Sequence, residues 1–143
     1  MLTIVTGTGY TGRRVLWMLP PDSVIGLSRS EIDSDRAAHV FDLDDTAATL
    51  PLELPRDYAV IYTVPPAGDP PDRRLSKFLP LLQPAPARFV YINTTGVYGD
   101  RGGATVTEAT PVHPDNERTR RRGAAEELLR AWALQGNCKL SIL

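Results

Sequence analysis

The fold class that this sequence predicts is a doubly wound α/β domain, an open parallel sheet with helices wound over it, and three observations carry that prediction. Short apolar runs, β-branched in part, alternate along the chain with stretches of helical periodicity, which is the order a parallel sheet requires. The runs are nearly continuous rather than alternately apolar and polar, as in strands buried on both faces. A glycine run, Gly7-Thr8-Gly9-Tyr10-Thr11-Gly12, falls directly after the first apolar run and directly before the first helical one.

Taken in order, strands are predicted over residues 2–6, 23–27, 38–41, 59–64, 88–92 and 139–143. Val15, Leu16 and Leu19 mark a helix after the first strand. Leu75, Phe78, Leu79 and Leu82 mark another before the fifth, and Ala125, Leu128, Leu129 and Trp132 mark the last. Between the third and fourth strands, Pro51 and Pro55 leave space in residues 44–55 for only one or two helical turns. The proline-rich stretch 65–72 reads as a rigid surface connection at the carboxyl end of a strand, where ligands bind in this architecture.

Composition bounds what such a domain does. With 143 residues and 42% apolar content, the chain builds one core, so residues 1–143 are expected to form one domain. A formal net charge of -1 gives no overall field toward nucleic acid or an anionic membrane, and neither partner is expected. Cys138 stands alone, which excludes an internal disulfide. With only His39 and His113 beside it, no metal-ligand cluster is expected. A single cysteine, no signal-like N-terminus and no long apolar run fit a reducing cytoplasm. Arginine outnumbers lysine fourteen to two, so an arginine at an unusual place can reflect composition rather than chemistry.

The glycine run has the G-x-G-x-x-G spacing of a dinucleotide phosphate site, in the strand-turn-helix context that gives this motif its meaning. Gly7 permits the turn out of the strand, Gly9 lets backbone approach a pyrophosphate, and Gly12 allows the helix to pack close. Tyr10 and Thr11 complete the turn, whose N–H groups face the phosphates. Ser28-Arg29-Ser30 occupies the end of the second strand, where an acidic residue would bond a ribose 2′-OH. An arginine between two hydroxyls suits a 2′-phosphate, so NADP(H) is favoured and NAD(H) is the alternative. An ordinary solvated loop is the other reading of these residues. Asp42, closing the third strand, is placed either to bond an adenine amino group or to cap the following turn. Arg13 and Arg14 lie in the first helical turn, within reach of a phosphate or simply exposed.

The stretch Phe89-Val90-Tyr91-Ile92-Asn93-Thr94-Thr95-Gly96-Val97-Tyr98-Gly99-Asp100, with Glu108, Pro111, Pro114 and Gly123-Ala124-Ala125-Glu126-Glu127-Leu128-Leu129 after it, resembles the extended short-chain dehydrogenase/reductase superfamily. That superfamily includes NAD(P)-dependent epimerases and dehydratases. The resemblance implies a Rossmann fold, here incomplete at its C-terminal end, with the substrate lobe absent from residues 1–143. It is similar to an atypical member, since most extended members carry T-G-x-x-G-x-x-G. By resemblance, Thr94 matches the family's catalytic serine or threonine. The family's tyrosine and lysine acid/base pair falls on Arg118 and Arg122, and no tyrosine of this chain has a lysine four residues on. Arginine does not deprotonate, so Arg118 cannot act as the base. Arg122 retains the capacity to donate to a nicotinamide ribose. Arg118-Thr119-Arg120-Arg121-Arg122 reads either as a site for an anion or as a solvated helical turn, with Asp115 and Glu117 as counter-charges. Tyr98 is an alternative proton donor near Thr94.

Three functions are compatible with this reading: an oxidoreductase or epimerase-like enzyme with an unrecognised acid/base, a non-catalytic NADP(H)-binding sensor or regulatory module, and a remnant that keeps the fold but binds little. An uncovered sheet edge at the sixth strand is expected to favour self-association.

Overall fold

The computed structural model describes residues 1–32 and 35–143. Six strands form one parallel sheet: β1 (Leu2–Thr6), β2 (Val24–Ser28), β3 (Ala38–Val40), β4 (Tyr58–Tyr62), β5 (Arg88–Tyr91) and β6 (Lys139–Ile142). Their order across the sheet is β3-β2-β1-β4-β5-β6, so the chain reverses its direction of winding next to β1. A doubly wound sheet opens its ligand crevice at that switch point, beyond the carboxyl ends of the strands. The register is continuous through the centre, with Ile4 beside Ile25 on one side and Val60 on the other.

Three helices cover the sheet: α1 (Tyr10–Met18), α2 (Arg73–Phe78) and α3 (Glu117–Gln135). Each starts and stops for a local reason. Pro20 and Pro21 follow α1 and forbid its extension. The Asp72 side chain accepts from the Arg74 N–H and caps α2. Asn116 and Thr119 form a reciprocal capping box at the start of α3, and Gly136 closes its end. The apolar run expected to be helical from Leu75 to Leu82 stops being α-helical at Phe78, and Leu79–Leu81 continues as a 3-10 turn around Pro80.

Strand periodicity sorts side chains between two faces. Ile4, Tyr58, Val60, Tyr62, Phe89 and Tyr91 point to one face, where Leu75 and Phe78 of α2 and Ala125, Leu129 and Ala133 of α3 close the larger core. Its centre is aromatic: the Tyr62 ring lies 5.6 Å from Phe78, 6.0 Å from Phe89 and 6.1 Å from Tyr91. Trp132 meets Phe89 edge-on at 5.5 Å. On the other face Val5, Leu16 and Val24 form a smaller cluster beneath α1.

Two expectations are corrected. Residues 44–55 contain turns and bends but no helix. Asp45 takes the Ala47 N–H on its carboxylate, and the prolines block a second turn. Leu43 is buried there, and Leu50, Leu52 and Leu54 pack on the larger core from an irregular backbone. Nor are all strands buried on both faces. β1 and β4 are, whereas β5 and β6 alternate, with Arg88, Lys139 and Ser141 exposed. Those residues lie on the α1 side of the sheet, away from the helix itself. Among the described residues, no helix is long and apolar enough to cross a membrane.

The burial pattern gives a direct test. Leu129→Ala, at a fully buried position, is expected to cost about 2–5 kcal/mol in urea unfolding. Leu134→Ala, five residues on and 85% exposed, is expected to change stability by less than about 0.5 kcal/mol.

Candidate functional site

A cleft of about 570 Å³ opens at the carboxyl ends of β1 to β4, within the usual size of small-molecule sites, roughly 300–1,000 Å³. Its floor is the turn between β1 and α1. Gly7 has φ +91 and donates its N–H to the Leu27 carbonyl at 2.9 Å. A Cβ at Gly7 would lie 2.7 Å from Val64 Cγ2 and 2.8 Å from Thr63 Oγ1, so both its conformation and its surroundings demand glycine. A Cβ at Gly12 would lie 1.9 Å from the Gly7 carbonyl oxygen. At Gly9 the same construction meets nothing within 4 Å. Gly7 and Gly12 therefore serve packing, while Gly9 leaves backbone bare to the cleft.

Gly7, Gly9, Tyr10 and Thr11 all line this cleft, and Gly12 stands just behind them. Ser28, Arg29 and Asp42 line it too, so the structure brings these residues and the glycine turn to one cleft. The arginines of the first helical turn divide. Arg13 lines the cleft, whereas Arg14 lies over the Tyr10 ring, 3.6 Å from its centroid. Asp42 lines the cleft, and its Oδ1 accepts the Asp44 N–H at 2.9 Å, the contact that its capping reading expects.

Thr94, Tyr98 and Arg122 do not line this cleft; they lie beyond β5. Thr94 caps a 3-10 turn, Thr95–Tyr98, by accepting the Gly96 N–H at 3.2 Å. Tyr98 closes that turn. Gly99 follows at φ +68, where a Cβ would lie 2.2 Å from the His113 carbonyl oxygen, so the glycine of V-Y-G makes room for a returning chain. Arg122 is half-buried and donates from Nη1 to the Ile92 carbonyl at 3.0 Å, with the Tyr91 hydroxyl at 3.4 Å. Arg118, one turn earlier, is exposed, as is Arg120. Of the two proposed counter-charges, Glu117 pairs with Arg121, while Asp115 bonds Asn116 and Thr119 instead.

The buried tyrosines are poor proton carriers. Burial pushes the hydroxyls of Tyr58, Tyr62 and Tyr91 up, and Arg122 only partly opposes this at Tyr91.

Several site residues escape sequence reasoning. Thr63, directly after β4, donates from Oγ1 to the Gly7 carbonyl at 2.5 Å and pins the glycine turn. The Thr6 hydroxyl, on the cleft wall, is buried without a partner among the described residues. Glu31 also lines the cleft, close to Arg29 in sequence. Arg74 and Asp44 form an ion pair at its edge, with Arg73 added from outside. The guanidinium of Arg74 holds the Asp44 carboxyl down at about 2. None of these belongs to a short motif, and only the hydroxyl after β4 and the Asp-rich turn after β3 were visible as residue types.

No family model matches the chain, and none of the curated proteins does. Solved structures share its fold. A short-chain dehydrogenase/reductase superfamily protein from Agrobacterium tumefaciens, solved with bound NAD, is 23% identical over 99% of this chain and 48% of its own, with a TM-score of 0.76. UDP-N-acetylglucosamine 4-epimerase from Bacillus cereus is 17% identical over 99% of this chain and 54% of its own, at 0.74. A conserved protein of unknown function from Silicibacter pomeroyi is 25% identical over 99% and 52%, at 0.71. The chain thus has a Rossmann fold and spans about half the length of these structures.

The Asp44 pair has a pH signature. Its folded value lies below the ordinary carboxylate value of 3.8, so the stability it contributes is full above about pH 4 and is lost as pH falls toward 2. Melting temperature measured from pH 5 to pH 2 is expected to fall less steeply in Asp44→Asn than in the unmodified protein.

Proposed function

We propose that this chain is the dinucleotide-binding half of an atypical extended short-chain dehydrogenase/reductase, similar to the epimerases and dehydratases, and that it takes NADP(H) in preference to NAD(H). The observation that carries this reading is the cleft itself. Gly9 bares backbone at its floor, Thr6 lines its wall, and Arg29 with Ser28 stands at the end of β2. In this reading the N-terminal turn of α1 holds the pyrophosphate. Arg29 and Ser28 take the 2′-phosphate, Asp42 takes the adenine, and Arg13 adds positive charge near the phosphates. A nicotinamide cofactor bound there supplies hydride transfer. Thr94 would hold a substrate oxygen, and Arg122, already fixed on the Ile92 carbonyl, would donate toward the nicotinamide ribose. Tyr98 is the weaker candidate for proton transfer.

Two observations favour neighbouring readings. Glu31 on the cleft wall is an acidic group that could serve a ribose diol, which would shift preference to NAD(H). Arginine at 118 and 122 favours a non-catalytic NADP(H)-binding sensor or regulatory module, because loss of an acid/base costs about 10²–10⁴-fold in rate. A reducing cytoplasm is the compartment that suits this reading.

Fluorescence titration with NADPH and NADH side by side tests the assignment. Arg29→Ala is expected to weaken NADPH by about tenfold and leave NADH nearly unchanged. Equal affinities that the substitution does not alter would refute the NADP(H) preference. Glu31→Ala is expected to weaken NADH alone if the acidic reading is right.

The open edge of β6 carries the proposed self-association. Leu140 and Ile142 are half-buried beside the exposed Leu134, and no charged side chain of β6 lies on that face. Light scattering across a concentration series is expected to show a dimer, and Ile142→Lys to shift it toward monomer. A monomer at every concentration would remove the proposal.

A further inference from the structure

Three segments that frame the cleft converge on one side chain. Arg74, in the first turn of α2, donates from Nε and Nη2 to the two carboxylate oxygens of Asp44 at 2.9 and 2.5 Å. From Nη1 it donates to the Pro65 carbonyl at 3.0 Å. Its side chain is only 17% exposed, and that of Asp44 is 29% exposed. Asp44 is in turn bound to the cleft residue Asp42, because its N–H is the donor to Asp42 Oδ1. One turn further along α2, Lys77 donates to the Asp45 carbonyl, and its ammonium lies 5.8 Å from the centre of the Phe41 ring. The basic ridge of α2 therefore holds the acidic turn after β3 from several points.

That turn needs such a hold. Residues 44–55 contain no helix, and although Phe41 still continues the β2–β3 ladder by donating its N–H to the Ser28 carbonyl at 2.6 Å, Asp42 and Leu43 lie past the end of β3 in the wall that these residues present to the cleft. A bidentate guanidinium-carboxylate pair fixes orientation as well as distance, which a single ammonium contact does not. The same guanidinium ties that wall to Pro65, on the loop after β4 that forms another side of the cleft.

We propose that Arg74 and Asp44 form a clasp that positions the adenine-side wall of the cleft and couples it to the loop after β4. This inference rests on the dinucleotide reading, and it assigns Arg74 as a positioning residue, acting through Asp44 and Asp42. Although Arg74 reaches the cleft edge, Nε, Nη1 and Nη2 all donate to protein acceptors.

The test compares Asp44→Ala, Arg74→Met, the double variant and Arg74→Lys, with Arg73→Ala as the control for an exposed partner of the same carboxylate. NADPH binding is read by fluorescence titration, and exchange of the 44–48 amides by hydrogen exchange. Asp44→Ala and Arg74→Met are each expected to weaken NADPH by about tenfold, with the double variant no worse than about twofold beyond either. Arg74→Lys should fall between, Arg73→Ala should bind as the unmodified chain does, and the 44–48 amides should exchange at least about tenfold faster in Asp44→Ala and Arg74→Met. If Arg74 instead bonded the ligand, Asp44→Ala would free it and preserve affinity while Arg74→Met lost it, which overturns the clasp. Unchanged binding in both variants overturns it as well. If the unmodified chain binds neither NADPH nor NADH, the dinucleotide reading fails, and unchanged exchange at the 44–48 amides then overturns the clasp separately. Arg74→Lys keeps both readouts available should the methionine variant not fold.

Discussion

A missing methyl group at residue 12 is the constraint on which the rest of this domain depends. The first turn of α1 lies so close to the end of β1 that any side chain at Gly12 would collide with the Gly7 carbonyl. That same carbonyl accepts the hydroxyl of Thr63, directly after β4. Helix, central strand and its neighbour are thereby joined at one backbone oxygen. The angle at which α1 leaves the sheet follows, and with it the direction in which the N–H groups of its first turn face. Gly26 extends the same logic to β2, since a Cβ there would approach Leu16 and Thr8 to about 3 Å. The cleft is shaped by close backbone approach rather than by large side chains.

The two faces of the sheet are unequal, and this asymmetry organises the remainder. The aromatic face, with Tyr62 at its centre, is closed by α2, α3 and the irregular leucines of residues 50–54. Among the described residues, the opposite face has α1 alone, over β1 and β2. Polar residues on β5 and β6 therefore point into open space on that side. The helix-poor crossover between β3 and β4 fits this division. Its leucines supply apolar area without regular backbone, and the work of fixing their turn passes to the charged ridge of α2.

The sheet was legible in the sequence because its cause is local and periodic. Each of the six strands is found within two residues of its expected ends, and α1 and α3 lie where their apolar spacing places them. The cleft residues from Gly7 to Thr11, with Ser28, Arg29 and Asp42, were legible because the fold brings strand ends together by topology alone. What was hidden depends on contacts between distant segments. Arg74 reads as one of many arginines until Asp44, thirty residues away, is seen beside it. Residues 44–55 were expected to form a helical turn because Pro51 and Pro55 leave room for one, whereas carboxylates capturing nearby amides do not show in a sequence. Burial on both faces failed for β5 and β6 because apolar neighbours cannot reveal which face has a covering helix.

The edge-on packing of Trp132 against Phe89 has a consequence for how this molecule reports on itself. The chain holds two tryptophans. Trp132 sits on the sheet-facing side of α3, while Trp17 is 54% exposed on α1, the helix that leads away from the glycine turn. One indole is thus bound to the integrity of the aromatic core, and the other is wetted by solvent in the last turn of the first helix. Their emission colours should differ accordingly, giving core disruption and events near the first helix separate optical channels in a single spectrum.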